Sequence, residues 1–146
     1  MHHHALPRLA SILLLLAAVS WGSAQDCLAR IGETQDQCIK RYGKPAFEGA
    51  TEEAGMTEIV WNKSGLRIRA LFPGENSACG KISFQKGNSS ELPPEEIKPL
   101  LKDNSLGSEW VMVCNSGDTT QWLTSDFTLR AYYHKTKHVL TIEAEK

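Results

Sequence analysis

The chain has 146 residues, with 16 basic and 17 acidic side chains and a formal net charge of −1. That length suits one domain. The charge balance excludes the basic excess of a nucleic-acid binder and gives no attraction to an anionic membrane surface.

Residues 1–24 read as a signal peptide. Arg8, helped by His2, His3 and His4, precedes an apolar run Ile-Leu-Leu-Leu-Leu-Ala-Ala-Val between Ser11 and Ser20, and Gly22-Ser23-Ala24 supplies small residues for cleavage. The run is shorter than the roughly 20 apolar residues of a membrane-spanning helix. Ala-Gln-Asp before Cys27 is not the small-apolar approach to a lipidated cysteine. The product is therefore expected to be exported, to the periplasm or the medium, as residues 25–146 without a membrane span. Cleavage removes Arg8, leaving one basic residue fewer than the 16 of the full chain against 17 acidic ones, a net charge of about −2. Four cysteines, Cys27, Cys38, Cys79 and Cys114, remain. An even number in an exported chain points to two disulfides, and no Cys-x-x-Cys pair favours zinc.

In chain order, Thr34 followed at the third place by Gln37 is a capping box, and Gly43 with Pro45 closes the helix it opens. Thr57–Trp61 reads as a strand, 62–65 as a hairpin turn, Leu66–Phe72 as a second strand and Cys79–Gln85 as a third. Pro93-Pro94-Glu95-Glu96 opens a second helix with Ile97, Leu100 and Leu101 on one stripe; Pro99 within that span implies a kink or a late start. Strands follow over Glu109–Cys114, Gln121–Leu123, Phe127–Tyr133 and Val139–Glu145. Cys38, on the packed side of the first helix, is expected to pair with Cys79 at the start of a strand of the same half, and Cys27 with Cys114. A local Cys27–Cys38 loop is the rival.

One stretch occurs twice. Residues 61–72 align without a gap on 122–133: Trp61/Trp122, Ser64/Ser125, Arg69/Arg130 and Ala70/Ala131 are identical, and Leu66/Phe127, Ile68/Leu129 and Phe72/Tyr133 are apolar in both. Period-two alternation places Leu66, Ile68, Ala70 and Phe72 on one face, and Phe127, Leu129, Ala131 and Tyr133 likewise. The expected fold is α+β. Two tandem helix-plus-strands units (about 25–90 and 91–146) share one sheet with both helices on one face, as a two-layer sandwich within a single domain.

The short helix, the Tyr42-Gly-Lys-Pro45 exit, the Trp-ended strand and the alternating strands resemble the α-β-β-β unit of small exported proteins. The assembly lipoproteins of OmlA/SmpA type have one such unit and the β-lactamase-inhibitor protein has two in tandem. More narrowly, Arg41-Tyr-Gly-Lys-Pro45 and the stretch from Leu100 through Asn104 and Gly107 to Trp110 are similar to uncharacterised exported proteins of verrucomicrobial type. The resemblance carries no catalytic motif.

No residue pattern supplies catalytic, cofactor-binding or metal chemistry. His134 and His138 have no third ligand near in sequence and suit a solvated turn, and no Gly-x-Ser-x-Gly or phosphate loop occurs. Trp61, Trp110 and Trp122 read as core anchors rather than a carbohydrate platform. By parity Arg67, Arg69, Arg130 and Tyr132 point to the sheet face away from the helices, a composition found at protein interfaces. The chain is thus expected to be a non-enzymatic binding or structural module whose partner is another exported protein. A small hydrolase is the alternative of another class, and a protein inhibitor is suggested by analogy of fold alone.

Overall fold

A computed structural model describes residues 30–52, 55–74 and 76–145. Residues 1–24, read above as a signal peptide, and Cys27 lie outside the described residues.

Among the described residues, two short helices and one large sheet make up the fold. Helix α1 (Gln35–Tyr42) starts where the sequence says it should: Thr34 accepts from the Gln37 backbone, and the Gln37 side chain reaches back to the Thr34 amide. Gly43, at φ 81°, ends it. The β-strands are β1 (Phe47–Ala50), β2 (Thr57–Lys63), β3 (Leu66–Phe72) and β4 (Lys81–Lys86). Helix α2 (Pro94–Asp103) follows, with Pro99 inside it, and then β5 (Trp110–Ser116), β6 (Thr119–Thr124), β7 (Leu129–His134) and β8 (Val139–Ala144). Of the two expectations raised by Pro99, a kink or a late start, the late start does not occur: α2 begins at Pro94, where a missing N–H leaves no helical bond unmade.

All eight strands lie in one antiparallel open sheet in the order β1-β2-β3-β4-β8-β7-β6-β5. Each run of four consecutive strands is a meander, and the two meanders meet where β4 pairs with β8. Ile82 stands opposite Ile142 there, and the Ser83 and Thr141 hydroxyls are 3.0 Å apart. Strand β1 has no counterpart among the sequence-predicted strands, because Phe-Glu-Gly-Ala shows no alternation.

Parity sets the core. Ile59 and Trp61 on β2, Ile68, Ala70 and Phe72 on β3, and Ile82 and Phe84 on β4 are all buried. So are Leu129, Ala131 and Tyr133 on β7 and Leu140 and Ile142 on β8. These residues form one cluster with Cys38 of α1 and Ile97, Leu100 and Leu101 of α2. Two indoles tie helix ends to strands: Trp61 Nε1 donates to Gly43 O at 3.1 Å, and Trp110 Nε1 donates to Leu101 O at 2.6 Å. Trp110, rather than Trp122, thus makes for α2 the contact that Trp61 makes for α1.

The repeated stretch keeps its parity but not its register. Trp61 pairs with Ile68, whereas Trp122 pairs with Ala131, two residues further on. The turns explain the slide. Ser64 (φ 52°) and Gly65 (φ 76°) close a two-residue turn of the kind that matches strand twist. In the second copy Asp126 accepts from the Thr128 amide and hydroxyl, and the Thr124 hydroxyl accepts from the Leu129 amide, which builds a four-residue turn. Phe127 therefore does not share the core face with Leu129, as expected from sequence. It sits in that turn at φ 58°, 70% exposed.

Cys38, Cys79 and Cys114 are thiols in this structure. Cys38 and Cys79 are buried in the same cluster. Cys38 Sγ lies 3.9 Å from Glu33 Oε2, while Cys79 Sγ donates to Lys81 O at 3.2 Å. Burial pushes both thiols up to about 12, so neither is a nucleophile near neutral pH.

Asn104 is the buried polar link between the start of the described chain and α2. It is fully buried; its Oδ1 accepts from the Ile31 amide at 2.9 Å and its Nδ2 donates to Leu100 O at 2.9 Å. Asn104→Ala strands both backbone groups and should lower unfolding free energy by about 1–3 kcal/mol in urea titration. A loss within error of zero would mean that water replaces the amide.

Candidate functional site

The sheet face away from the core cluster is a ladder of aligned rows, because side chains in register across antiparallel strands stand side by side. The middle row runs Phe47, Val60, Arg69, Ser83, Thr141, Tyr132, Gln121 and Cys114 across all eight strands. A neighbouring row holds Glu58, Leu71, Lys81, Glu143 and Arg130. On the other side Asn62, Arg67 and Gln85 are aligned, and Val139 pairs with His134.

The centre of this face holds a shallow groove of about 590 Å³. Its floor is the Ser83–Thr141 hydroxyl pair, and Tyr132 and His134 form one wall, their rings edge to face at 5.7 Å. Arg67, Arg69, Lys81 and Lys137 line it against a single carboxylate, Glu58. Such clustering of one sign in a chain whose net charge is only −1 makes the groove the positive part of a slightly acidic molecule.

The cations are not equivalent. Arg69 is held by Glu58 through two of its nitrogens, and Lys81 lies 3.5 Å from Glu143. Arg67 is exposed and makes no ion pair among the described residues. Lys137 is exposed on the turn between β7 and β8, and its carbonyl accepts from Gln85 Nε2 at 3.1 Å. The same turn is anchored from beneath by Asp118, which accepts from the Thr136 amide at 2.7 Å and from its hydroxyl. These bonds hold the Asp118 carboxyl below the usual carboxylate range. His134 Nδ1 lies 3.6 Å from that carboxylate.

Of the residues picked out in the sequence, Arg67, Arg69 and Tyr132 line the groove. Arg130 shares the face but lies outside it. It is bonded to Glu143 at 2.7 Å and lies 3.6 Å from Glu145, and the Glu143 bond holds its proton more tightly. Arg69 and Arg130 stand three strands apart, on the order of 14 Å, whereas Arg67 and Arg69 are two residues apart on β3. Lys81, Ser83, Gln85 and Lys137 were not singled out, and His134, read from sequence as a solvated turn residue, lines the groove. Parity placed Ser83 and Gln85 opposite Ile82 and Phe84, whereas the arrival of His134 and Lys137 beside Gln85 depends on the β4–β8 pairing. Among the described residues, no three His, Cys, Asp or Glu side chains converge to hold a metal, and no helix is long and apolar enough to cross a membrane.

Half-exposed ion pairs of this kind contribute little to stability. Arg69→Ala and Arg130→Ala should each change unfolding free energy by about 0–1 kcal/mol. A loss of several kcal/mol in thermal or urea unfolding would mean that these arginines are structural rather than available to a ligand.

No protein-family model matches the chain, and neither does any curated protein or solved structure compared with it.

Proposed function

We propose that the protein is an exported, non-enzymatic binding module that receives an anionic segment of another exported protein in the groove on its open sheet face. The observation that carries this reading is the groove itself. Four cations, a histidine and a tyrosine face one carboxylate on a surface that the core does not use. Arg67 and Lys137, exposed and outside the ion pairs of the face, are the cations that a partner's carboxylates would meet. Tyr132 and the backbone-anchored rim offer an aromatic surface beside them, the pairing of arginine and aromatic groups typical of interface hot spots.

The repeat gives the module its build. We read it as two tandem units, each a helix followed by a strand meander, set side by side with both helices over one face in two layers. The shared parity of β2–β4 and β6–β8, and the two indole-to-helix bonds, support this. Export is supported by the signal-peptide pattern at the start of the sequence. Within an oxidising compartment the buried Cys38 and Cys79, which share one cluster, are the pair we assign to one disulfide.

Charge reversal at the two uncommitted cations tests the proposal. Arg67→Glu with Lys137→Glu should leave thermal unfolding nearly unchanged and abolish capture of an acidic partner from the exported fraction. Capture by the wild type should weaken steeply as salt rises. Undiminished capture by the double variant would remove the groove from the account.

A further inference from the structure

Between α2 and strands β5–β7, on the core face of the sheet, lies a cleft of about 370 Å³ that shares no residue with the open-face groove. Its size falls near the lower end of the ~300–1,000 Å³ of small-molecule sites. The repeat shows why it is open. Trp61 is 1% exposed and covered by Tyr42 of α1, with ring centroids 5.1 Å apart. Its counterpart Trp122 is only half-buried, and among the described residues no aromatic ring packs on it. Where the first half lays a tyrosine on its tryptophan, the second leaves Trp122 as a wall of the cleft.

Two rows of the sheet form the floor, and they differ in kind. Met112, Trp122 and Ala131 are in register as an apolar row, and Asn115, Thr120 and Tyr133 are in register as a polar one. Ile97 and Leu101 of α2 supply the facing apolar wall.

The polar row has donors left over. Asn115 Oδ1 accepts from Thr120 Oγ1 at 3.0 Å and from Lys135 Nζ at 3.1 Å. Both bonds fix which way the amide points and leave its Nδ2 without an acceptor among the described residues. Lys135 Nζ also donates to Gly117 O at 3.1 Å, so one of its three hydrogens remains. Tyr133 Oη accepts from the Leu92 amide at 3.1 Å, and its own hydrogen has no acceptor among the described residues. The same holds for the Trp122 indole N–H, unlike those of Trp61 and Trp110. Lys98, exposed on α2, brings a second ammonium to the rim, against one carboxylate, Glu91.

We infer that this cleft binds a small amphipathic anion, a medium-chain aliphatic carboxylate, with its head at Asn115 and Lys135 and its tail along Met112, Trp122, Ile97 and Leu101. A carboxylate brings acceptors and no donor, which is what the surplus donors and the two ammonium groups call for. The tail removes apolar wall from water. A plain hydrocarbon would leave the donors unpaired, and a second charge on the tail would be buried against the apolar row. Met112, 54% exposed at the mouth, has an unbranched thioether that adapts to the tail beneath it.

Isotopically labelled protein recovered from expression of the full chain, titrated with sodium octanoate, tests this. The Trp122 indole N–H and the amides of Ile97, Leu101 and Tyr133 should shift together and saturate. Acetate, the same head group without the tail, should move none of them. Affinity should rise roughly three- to fourfold per methylene from hexanoate to octanoate. Lys135→Gln should weaken octanoate about fivefold and leave octan-1-ol unchanged, a difference that loosening of the turn would not produce. Met112→Glu, at an exposed position, should weaken octanoate about tenfold or more without altering thermal unfolding. Shifts confined to the open-face groove would overturn the inference, as would equal weakening of octanoate and octan-1-ol by Lys135→Gln. So would cleft resonances that follow protein concentration and ignore octanoate, the mark of a second copy in the cleft. Because the two sites share no residue, failure here leaves the open-face groove unaffected.

Discussion

The molecule depends on the pairing of β4 with β8. Among the described residues every other strand pairing joins neighbours in sequence, whereas this one joins residues such as Ser83 and Thr141, separated by 58 positions. Closing so long a loop is entropically unfavourable, and what offsets it is apolar burial: Ile82 against Ile142 and Phe84 against Leu140, all four fully buried. The same pairing creates the groove. It brings Ser83 and Gln85 from one meander alongside Thr141, Tyr132, His134 and Lys137 from the other, so the candidate site lies across the seam on which the fold relies.

The two faces of the sheet have divided their tasks. One face holds the aromatic and aliphatic cluster. The opposite face carries ion pairs that each meander largely settles within itself: Arg69 with Glu58 across β3 and β2, Arg130 with Glu143 across β7 and β8. Lys81 with Glu143 is the pair that crosses the seam. Arg67 and Lys137 are exposed and outside these pairs, which is why they rather than Arg69 and Arg130 are the groups to reverse. The identical pair Arg69 and Arg130 is committed to carboxylates of the face, whereas Arg67 makes no ion pair among the described residues.

What could be read in advance was local. The Thr34–Gln37 capping box, the Ser64-Gly65 turn and the alternation of Leu66–Phe72 lie within a dozen residues and appeared where expected. Phe127 was misplaced because the Asp126 side chain accepts from the Thr128 backbone amide, a choice of turn that hydrophobic alternation does not reveal. Strand β1 was missed because it is an edge element set by pairing with β2 and not by its own pattern. The groove was half legible. Its arginines and tyrosine followed from parity in β3 and β7, while the lysines and histidine that complete it come from a strand order that no stretch of sequence encodes by itself.

The central claim is that an acidic segment docks across the β4–β8 seam, and amide chemical-shift mapping tests it most directly. An isotopically labelled sample titrated with a short peptide rich in Glu and Tyr should show its largest shifts at Arg67, Ser83, Gln85, Tyr132 and Lys137. Residues of both meanders should move together at one saturation midpoint. Shifts confined to α1 and α2, or to one meander alone, would contradict the account.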